Sequence, residues 1–448
     1  MSVVAFPQDA LARLHRMAAE RAAETCAVGY VRPAPASGRD ARFLVHGVEL
    51  VPEWAYQVRT PSRASLTAEF MLEVANRARA EGAGIALLHT HPGAGALEGF
   101  SSVDDAGETP LAAYFNGRLP GLPHIAAVVT QSNVHVRALG CGEPLRAVGV
   151  GATIRYYDEV PELQAADQRY DRQVRAFGEA GQARLRAARV AVVGAGGTGS
   201  FAAHELAYLG VGQLLLVDHD VVDASNLNRL MGATPSDVGR PKVAVASRSL
   251  SAINPAIQVD TIVGDVVDEA IAAKLLDVDF IFGCTDSMAS RAVINQIAYQ
   301  YLIPVIDMGV AIRVRDGHIA SVTGRVQMLS AGLGCLVCAD GLDGQQVRWE
   351  LMSEAQRRAD PYFENASVPQ PAVMPLNGIV TSAAVAMFMS AITGYPGDAR
   401  LLHYDGLRGS MRPQILPQRH RCIVCSGEGA LARGNAWSLP VRQEHTHE

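Results

Sequence analysis

With 448 residues, 49% of them hydrophobic, the chain is long enough for two or three domains, each with its own core. A net charge of −6 with no basic stripe excludes nucleic acid as an expected partner. Seven cysteines, four of them in two Cys-x-x-Cys pairs, fit a reducing cytoplasm and a structural metal better than a disulfide scaffold. The opening MSVVAFPQDALARLHRMAAERAAE carries charge within its apolar periodicity, so it reads as an amphipathic helix and not as a signal peptide.

Residues 1–150 alternate short strands with helices. A helix is expected over Gln8–Glu20, then a strand over Cys26–Val31 and a Pro-rich loop, RPAPASGRD. Further strands fall around Phe43–Val48, Ile85–His89, Ile125–Val129 and Val134–Leu139, with an amphipathic helix over Thr67–Ala80. This is a mixed α/β domain of antiparallel character. Gly140, Gly142, Gly149 and Gly151 mark its end, and residues 151–188 form a linker and the helix that opens the next domain.

From residue 189 to 428 the pattern becomes strand, helix, strand, helix, with strands at Val190–Val193, Gln213–Val217, Ile257–Val263, Phe280–Cys284 and Pro304–Met308. That rhythm predicts a Rossmann-like, doubly wound parallel sheet. An antiparallel extension follows at Ala311–Arg315 and His318–Met328, then a charged helical stretch near Gln345–Asp360 and a last strand at Leu401–Tyr404. The segment 365–397 holds no charged residue. Its prolines and Asn377 interrupt it, and its continuous part falls short of the roughly 20 residues a membrane span requires, so a buried helix is expected. Residues 429–448 read as a disordered tail.

The chemistry centres on VAVVGAGGTGS. Gly194, Gly196, Gly197 and Gly199 form a tight turn from a buried strand into a helix, where free N–H groups and the helix dipole favour phosphate. Asp218 ends the next strand, where an acid meets a ribose hydroxyl in dinucleotide-binding folds. Those features fit NAD as well as ATP. Asn226, Arg229 and Lys242 then place an amide and two cations beyond the crevice, which suits a triphosphate.

With these residues the stretch of about 168–428 resembles the ThiF/MoeB group, adenylating enzymes related to ubiquitin-activating enzyme. The resemblance implies that Asp286 binds Mg2+ and that Arg172 reaches the nucleotide site of a second subunit, hence a homodimer. It also implies that Cys335, Cys338, Cys422 and Cys425 share one structural Zn2+. The substrate implied is the C-terminal carboxylate of a ubiquitin-like or sulfur-carrier protein. Family members that form a thioester carry a cysteine where this chain has Ser367, and no cysteine lies between Cys338 and Cys422. Ser367 is therefore inert, or it accepts the acyl group as an oxyester; substitution by Cys26, Cys141 or Cys284 is the remaining option.

A second constellation lies near the front. His89 and His91 end a predicted strand, and side chains at i and i+2 share a face. With Asp104 after a Gly-rich loop they form a three-ligand set that leaves one zinc position open, as catalytic sites do. His89, His91, Ser101 and Asp104, with Glu24 upstream, resemble the motif of the JAMM metalloproteases of the MPN or Mov34 type. The resemblance implies zinc on His89, His91 and Asp104, Ser101 as oxyanion stabiliser and Glu24 as general base. The stretch between His91 and Ser101 is longer than the family's, which leaves Ser102 with Asp105 as the shifted register.

The expected protein is thus a fused cytoplasmic enzyme: a peptidase domain over 1–150 and an adenylation domain over 189–428, using ATP, Mg2+ and two zinc ions. Its expected partners are a ubiquitin-like protein and a conjugating enzyme, with neither nucleic acid nor membrane. Two alternatives stand beside it: a sulfur-carrier adenylyltransferase of cofactor biosynthesis, and an adenylating enzyme whose front domain only binds the ubiquitin-like protein.

Overall fold

The computed structural model describes residues 2–35, 41–95, 99–158, 167–353, 356–357 and 371–442. The chain divides into two units, the first formed by residues 1–159 with 300–302 and 426–437, the second by the remainder.

The first unit is built on one sheet. Its strands are β1 (Val3–Pro7), β2 (Cys26–Ala34), β3 (Arg42–Leu50), β6 (Gly84–Thr90), β7 (Ile125–Val129), β8 (Val134–Ala138), β9 (Pro144–Val150) and β10 (Ile154–Tyr156). They run in the order β1-β3-β2-β6-β7-β8-β9-β10, and β1 also pairs with β9, so the sheet closes on itself. Helix α1 (Gln8–Glu20) seals one face through Leu11 and Leu14 against Phe6, Val45 and Leu88. Helices α2 (Ala68–Glu81) and α3 (Ser102–Arg118) cover the other, with Met71, Val74 and Phe115 meeting Val28 and Ile85. A small hairpin, β4 (Tyr56–Arg59) and β5 (Ala64–Leu66), stands apart. Helix α2 starts where Thr67 accepts the N–H of Phe70 and stops at Gly82, whose φ of 60° a side chain would resist.

The second unit has α4 (Asp171–Ala187), β11 (Arg189–Val193), α5 (Gly197–Leu209), β12 (Gln213–Asp218), α6 (Lys242–Ile253), β13 (Gln258–Val263) and α7 (Glu269–Lys274). It continues with β14 (Phe280–Gly283), α8 (Met288–Gln300), β15 (Val305–Arg315), β16 (His318–Leu329), α9 (Gly344–Leu351), α10 (Met374–Ile392), β17 (Leu401–Asp405) and β18 (Ser410–Pro413). The strand order is β13-β12-β11-β14-β15-β16-β17-β18, parallel through β15 and antiparallel beyond. The order reverses between β11 and β14, which opens a crevice at their carboxyl ends. Phe388 of α10 packs edge-on against Phe280 and Phe282 at ring separations of 4.8 and 5.6 Å, fixing that helix on the sheet. Helix α10 is long and apolar enough to cross a membrane, yet most of it is buried in this unit, as a core helix would be.

Several expectations change. Pro304–Met308 and Ala311–Arg315 are one continuous strand, β15. The first unit extends through β10, beyond residue 150. The expected disordered tail is folded over 429–442: Ala430 and Ala432 are buried, and Arg433 pairs with Glu81 at 2.9 Å. Tyr301 donates to Asn435 at 2.6 Å, within the same unit. Long-range contacts of this kind leave no local periodicity to read.

Candidate functional site

The front site is assembled by strand register. Thr90 N–H donates to the Thr25 carbonyl, Thr25 N–H donates to the Thr90 hydroxyl, and Cys26 lies opposite His89, so Glu24 and Cys26 line the sheet position where His89 and His91 emerge. His91 lies one residue past β6, and its N–H still reaches Val129 at 3.1 Å. The two Nε2 atoms are 3.1 Å apart. Asp104 Oδ1 is 3.0 Å from His89 Nε2 and Oδ2 is 3.4 Å from His91 Nε2. Ligands about 2.0–2.2 Å from a tetrahedral ion are about 3.3 Å apart, so this donor set fits zinc and leaves a fourth position open.

Asp104 owes its place to helix α3. Ser101 caps that helix: its N–H and Oγ–H donate to Asp104 Oδ2 at 2.6 and 2.7 Å, and its Oγ accepts from the Asp104 N–H. The Ser101 hydroxyl is thus engaged with the ligand carboxylate, a positioning contact that the oxyanion expectation did not include. Asp105 instead pairs with Arg137 at 2.8 Å, so of the two registers it is Asp104 that meets the histidines. Although burial opposes it, hydrogen bonds from His89 and His91 hold the Asp104 carboxyl well below its usual range. Glu24 is almost fully buried, and burial lifts its carboxyl pKa, with the histidine charges pulling the other way. Glu24, His89 and Asp104 share a cavity of about 590 Å³ with apolar walls that include Leu87, Met71 and Leu111.

In the second unit, Gly194 takes a φ of 91°, and a Cβ there would lie 2.7 Å from the Cys284 carbonyl. A Cβ on Gly199 would lie 1.7 Å from the Gly194 carbonyl, so only glycine lets α5 start this close to β11. Gly196 caps α5, and the first turn of that helix is left open. Asp218 is buried at the end of β12, accepting from Ala195 N–H at 2.6 Å and Asp220 N–H at 2.7 Å. It therefore staples the glycine loop to the turn after β12 that supplies Asp220. Lys242, first in α6, pairs with Asp220 at 2.6 Å. Arg229 donates to the Ser225 carbonyl at 2.7 Å, and its Cδ lies 3.5 Å from the Cβ position of Gly197. Asn226 caps its own short turn through Asp223. Asp286 is an exposed carboxylate after β14, and the metal-compatible group nearest the loop is Asp218, His219 and Asp220, without it. Arg172 is exposed on α4.

The cysteine pairs do converge. Cys335 and Cys422 sulfurs are 3.5 Å apart, Cys338 and Cys425 also 3.5 Å, Cys335 and Cys338 3.7 Å, and all four are buried. These separations exceed a disulfide and match the edge of a tetrahedral Zn–S₄ site, about 3.8 Å. Burial pushes the Cys26 and Cys284 thiols up to about 12, and Cys141 is also raised. Ser367 lies outside the described residues.

One residue escaped the sequence reading. Asn377, counted there as an interruption of an uncharged run, faces the glycine loop, its Nδ2 2.4 Å from the Cβ position of Gly197. An isolated amide in an otherwise apolar helix was the available signal.

Comparison with known proteins agrees with this second unit. The chain is 32% identical over 261 residues to the molybdopterin-synthase adenylyltransferase of Escherichia coli, covering 57% of this chain and 95% of that protein. It is 30% identical over 262 residues to the SAMP-activating enzyme E1 of Haloferax volcanii, covering 57% of this chain and 86% of that protein. The crystal structure of E. coli MccB with succinimide aligns with a TM-score of 0.48 at 19% identity, covering 58% of this chain and 75% of that one. The model of the ThiF family matches residues 170–424, more than half of the sequence, and the chain belongs to the ThiF family.

Proposed function

We propose that the second unit is an ATP-dependent adenylyltransferase acting on the C-terminal carboxylate of a ubiquitin-like or sulfur-carrier protein. The observation that carries this reading is the open amino end of α5 with Arg229 beside it and Lys242 paired with Asp220 just past β12, in a chain of the ThiF family. The names of the relatives, a molybdopterin-synthase adenylyltransferase and a SAMP-activating enzyme E1, support the substrate class. In this mechanism the α5 N–H groups hold the phosphates, while Arg229 and Lys242 spread the charge that builds as a carboxylate oxygen attacks the α-phosphorus and the bond to pyrophosphate breaks. Asp286 is the residue that would hold Mg2+, which supplies further neutralisation of the phosphates. Arg172 of a second copy completes the site in a homodimer. Pyrophosphate exchange with candidate ubiquitin-like and sulfur-carrier proteins tests the reading: exchange should depend on the carrier and vanish in Lys242→Ala, and exchange that ignores the carrier sinks it.

A second reading concerns the first unit and is favoured by the meeting of His89, His91 and Asp104, with Glu24 sharing a cavity with His89 and Asp104. Here the unit is a zinc metallopeptidase that trims the ubiquitin-like precursor or releases it from conjugates. A zinc ion on the three ligands supplies Lewis-acid polarisation. Glu24 takes the proton of the attacking water and returns it to the leaving amine, and Ser101 turns its hydroxyl to the oxyanion. Glu24→Gln should keep the metal and lose cleavage of a carboxyl-terminal fusion; cleavage by neither protein makes the unit a binding domain, and equal cleavage by both removes Glu24 as the base.

After adenylation, Ser367 takes the acyl group as an oxyester for a cytoplasmic conjugating enzyme, or the reaction stops at the acyl-adenylate for sulfur transfer. Intact mass of wild type and Ser367→Ala after incubation with ATP and carrier separates the two.

A further inference from the structure

Asn377 sits in the first turn of α10, 6% exposed, with its own N–H bonded to the Val373 carbonyl. Among the described residues no partner is recorded for its side-chain amide. The helix that carries the amide is held in place by the packing around it. A Cβ on neighbouring Gly378 would lie 3.1 Å from the Phe201 ring, so α10 presses closely on α5, and Thr381 donates to the Thr198 carbonyl at 3.5 Å. Asn377 Nδ2 consequently points at the space that Gly197 leaves empty, which Arg229 also borders. A buried donor, a cation and the amino end of a 13-residue helix converge on one spot.

We infer that Asn377 is a phosphate-contacting residue, its Nδ2–H donating to a non-bridging oxygen of the nucleotide held at the start of α5. The inference rests on the adenylation reading and deepens it. Gly197 has a second role under it: besides letting phosphate approach the backbone, the missing Cβ makes room for the amide.

The test is calorimetric titration of ATP into the full-length wild type, Asn377→Leu and Asn377→Asp, with a thermal melt of each. Asn377→Leu should bind ATP about tenfold more weakly at an unchanged melting temperature, the loss of one hydrogen bond to a charged group. Asn377→Asp, the isosteric change, should bind about 100-fold more weakly because a carboxylate then faces phosphate, and it carries the comparison if Asn377→Leu fails to fold. ATP affinity within twofold of wild type in either variant overturns the inference, as does Asn377→Asp binding more tightly than Asn377→Leu. A wild type that binds no ATP sinks the adenylation reading itself, an outcome distinct from the other two.

Discussion

Asp104 meets His89 through Oδ1 at 3.0 Å while its other oxygen, Oδ2, receives the Ser101 hydroxyl. The Asp104 carboxylate is therefore oriented by the cap of the helix that carries it. Ser101→Ala should weaken zinc at this site about 10- to 100-fold, the usual cost of removing a partner behind a metal ligand, while saturating metal restores full occupancy. Competition against a zinc chelator measures it, and unchanged affinity means that the cap orients nothing.

Wild-type protein should carry two zinc ions per chain by elemental analysis. Cys422→Ser should lose one and lower the melting temperature, because the four buried sulfurs tie the 335–338 and 422–425 segments together and a three-thiolate remnant does so weakly. His89→Ala should lose one while leaving the melt nearly unchanged, since His89 lies at a cavity wall. Equal melting losses in the two variants contradict this division between structural and open sites.

The residues that converge at the two candidate sites were legible in the sequence where they sit at the end of a periodic strand. Ile85–His89 and Val190–Val193 are short apolar runs whose last residues emerge at the site, so motif and element reinforce each other. Less was legible where packing decides. Strand β1 is too short and too close to α1 to show a period of its own. Helix α3 is diluted by Gly107, Gly117 and Pro110, and its start is set by the Ser101–Asp104 cap. The folded stretch 429–442 is rich in small residues that read as solvated, and Asn377 looked like an interruption because its significance lies in Gly197, far away in the chain.

Acid should unfold the first unit through His46. This imidazole, 5% exposed on β3, has its pKa pushed down to about 3 by burial, with Arg433, Arg32 and Arg77 adding to the effect. The unfolded chain protonates His46 near pH 6.5 while the native state does not, so stability is complete above that pH and falls as the pH drops toward about 3. At pH 5 the loss from this one group is about 2 kcal/mol. Denaturant unfolding at pH 7 and pH 5 should show that loss in wild type and lack it in His46→Leu; an identical pH dependence in both proteins removes His46 from the account.

Gly197 and Gly199, the last two glycines of the loop, should fail differently. A methyl on Gly199 would meet the Gly194 backbone carbonyl at 1.7 Å, and backbone cannot step aside without moving α5 off β11. Gly199→Ala should therefore melt several degrees lower and lose ATP binding with the fold. A methyl on Gly197 clashes with the Asn377 amide, the movable end of a side chain, at 2.4 Å, and makes only ordinary contact with Arg229 Cδ at 3.5 Å. Gly197→Ala should keep the wild-type melt and lose ATP affinity, because the displaced amide no longer faces the phosphate. In an Asn377→Ala background that displacement has already happened, so the further loss from Gly197→Ala should be much smaller than in wild type. A double-mutant cycle on ATP affinity reads the coupling directly, and strictly additive losses mean that the glycine and the amide act on the nucleotide independently.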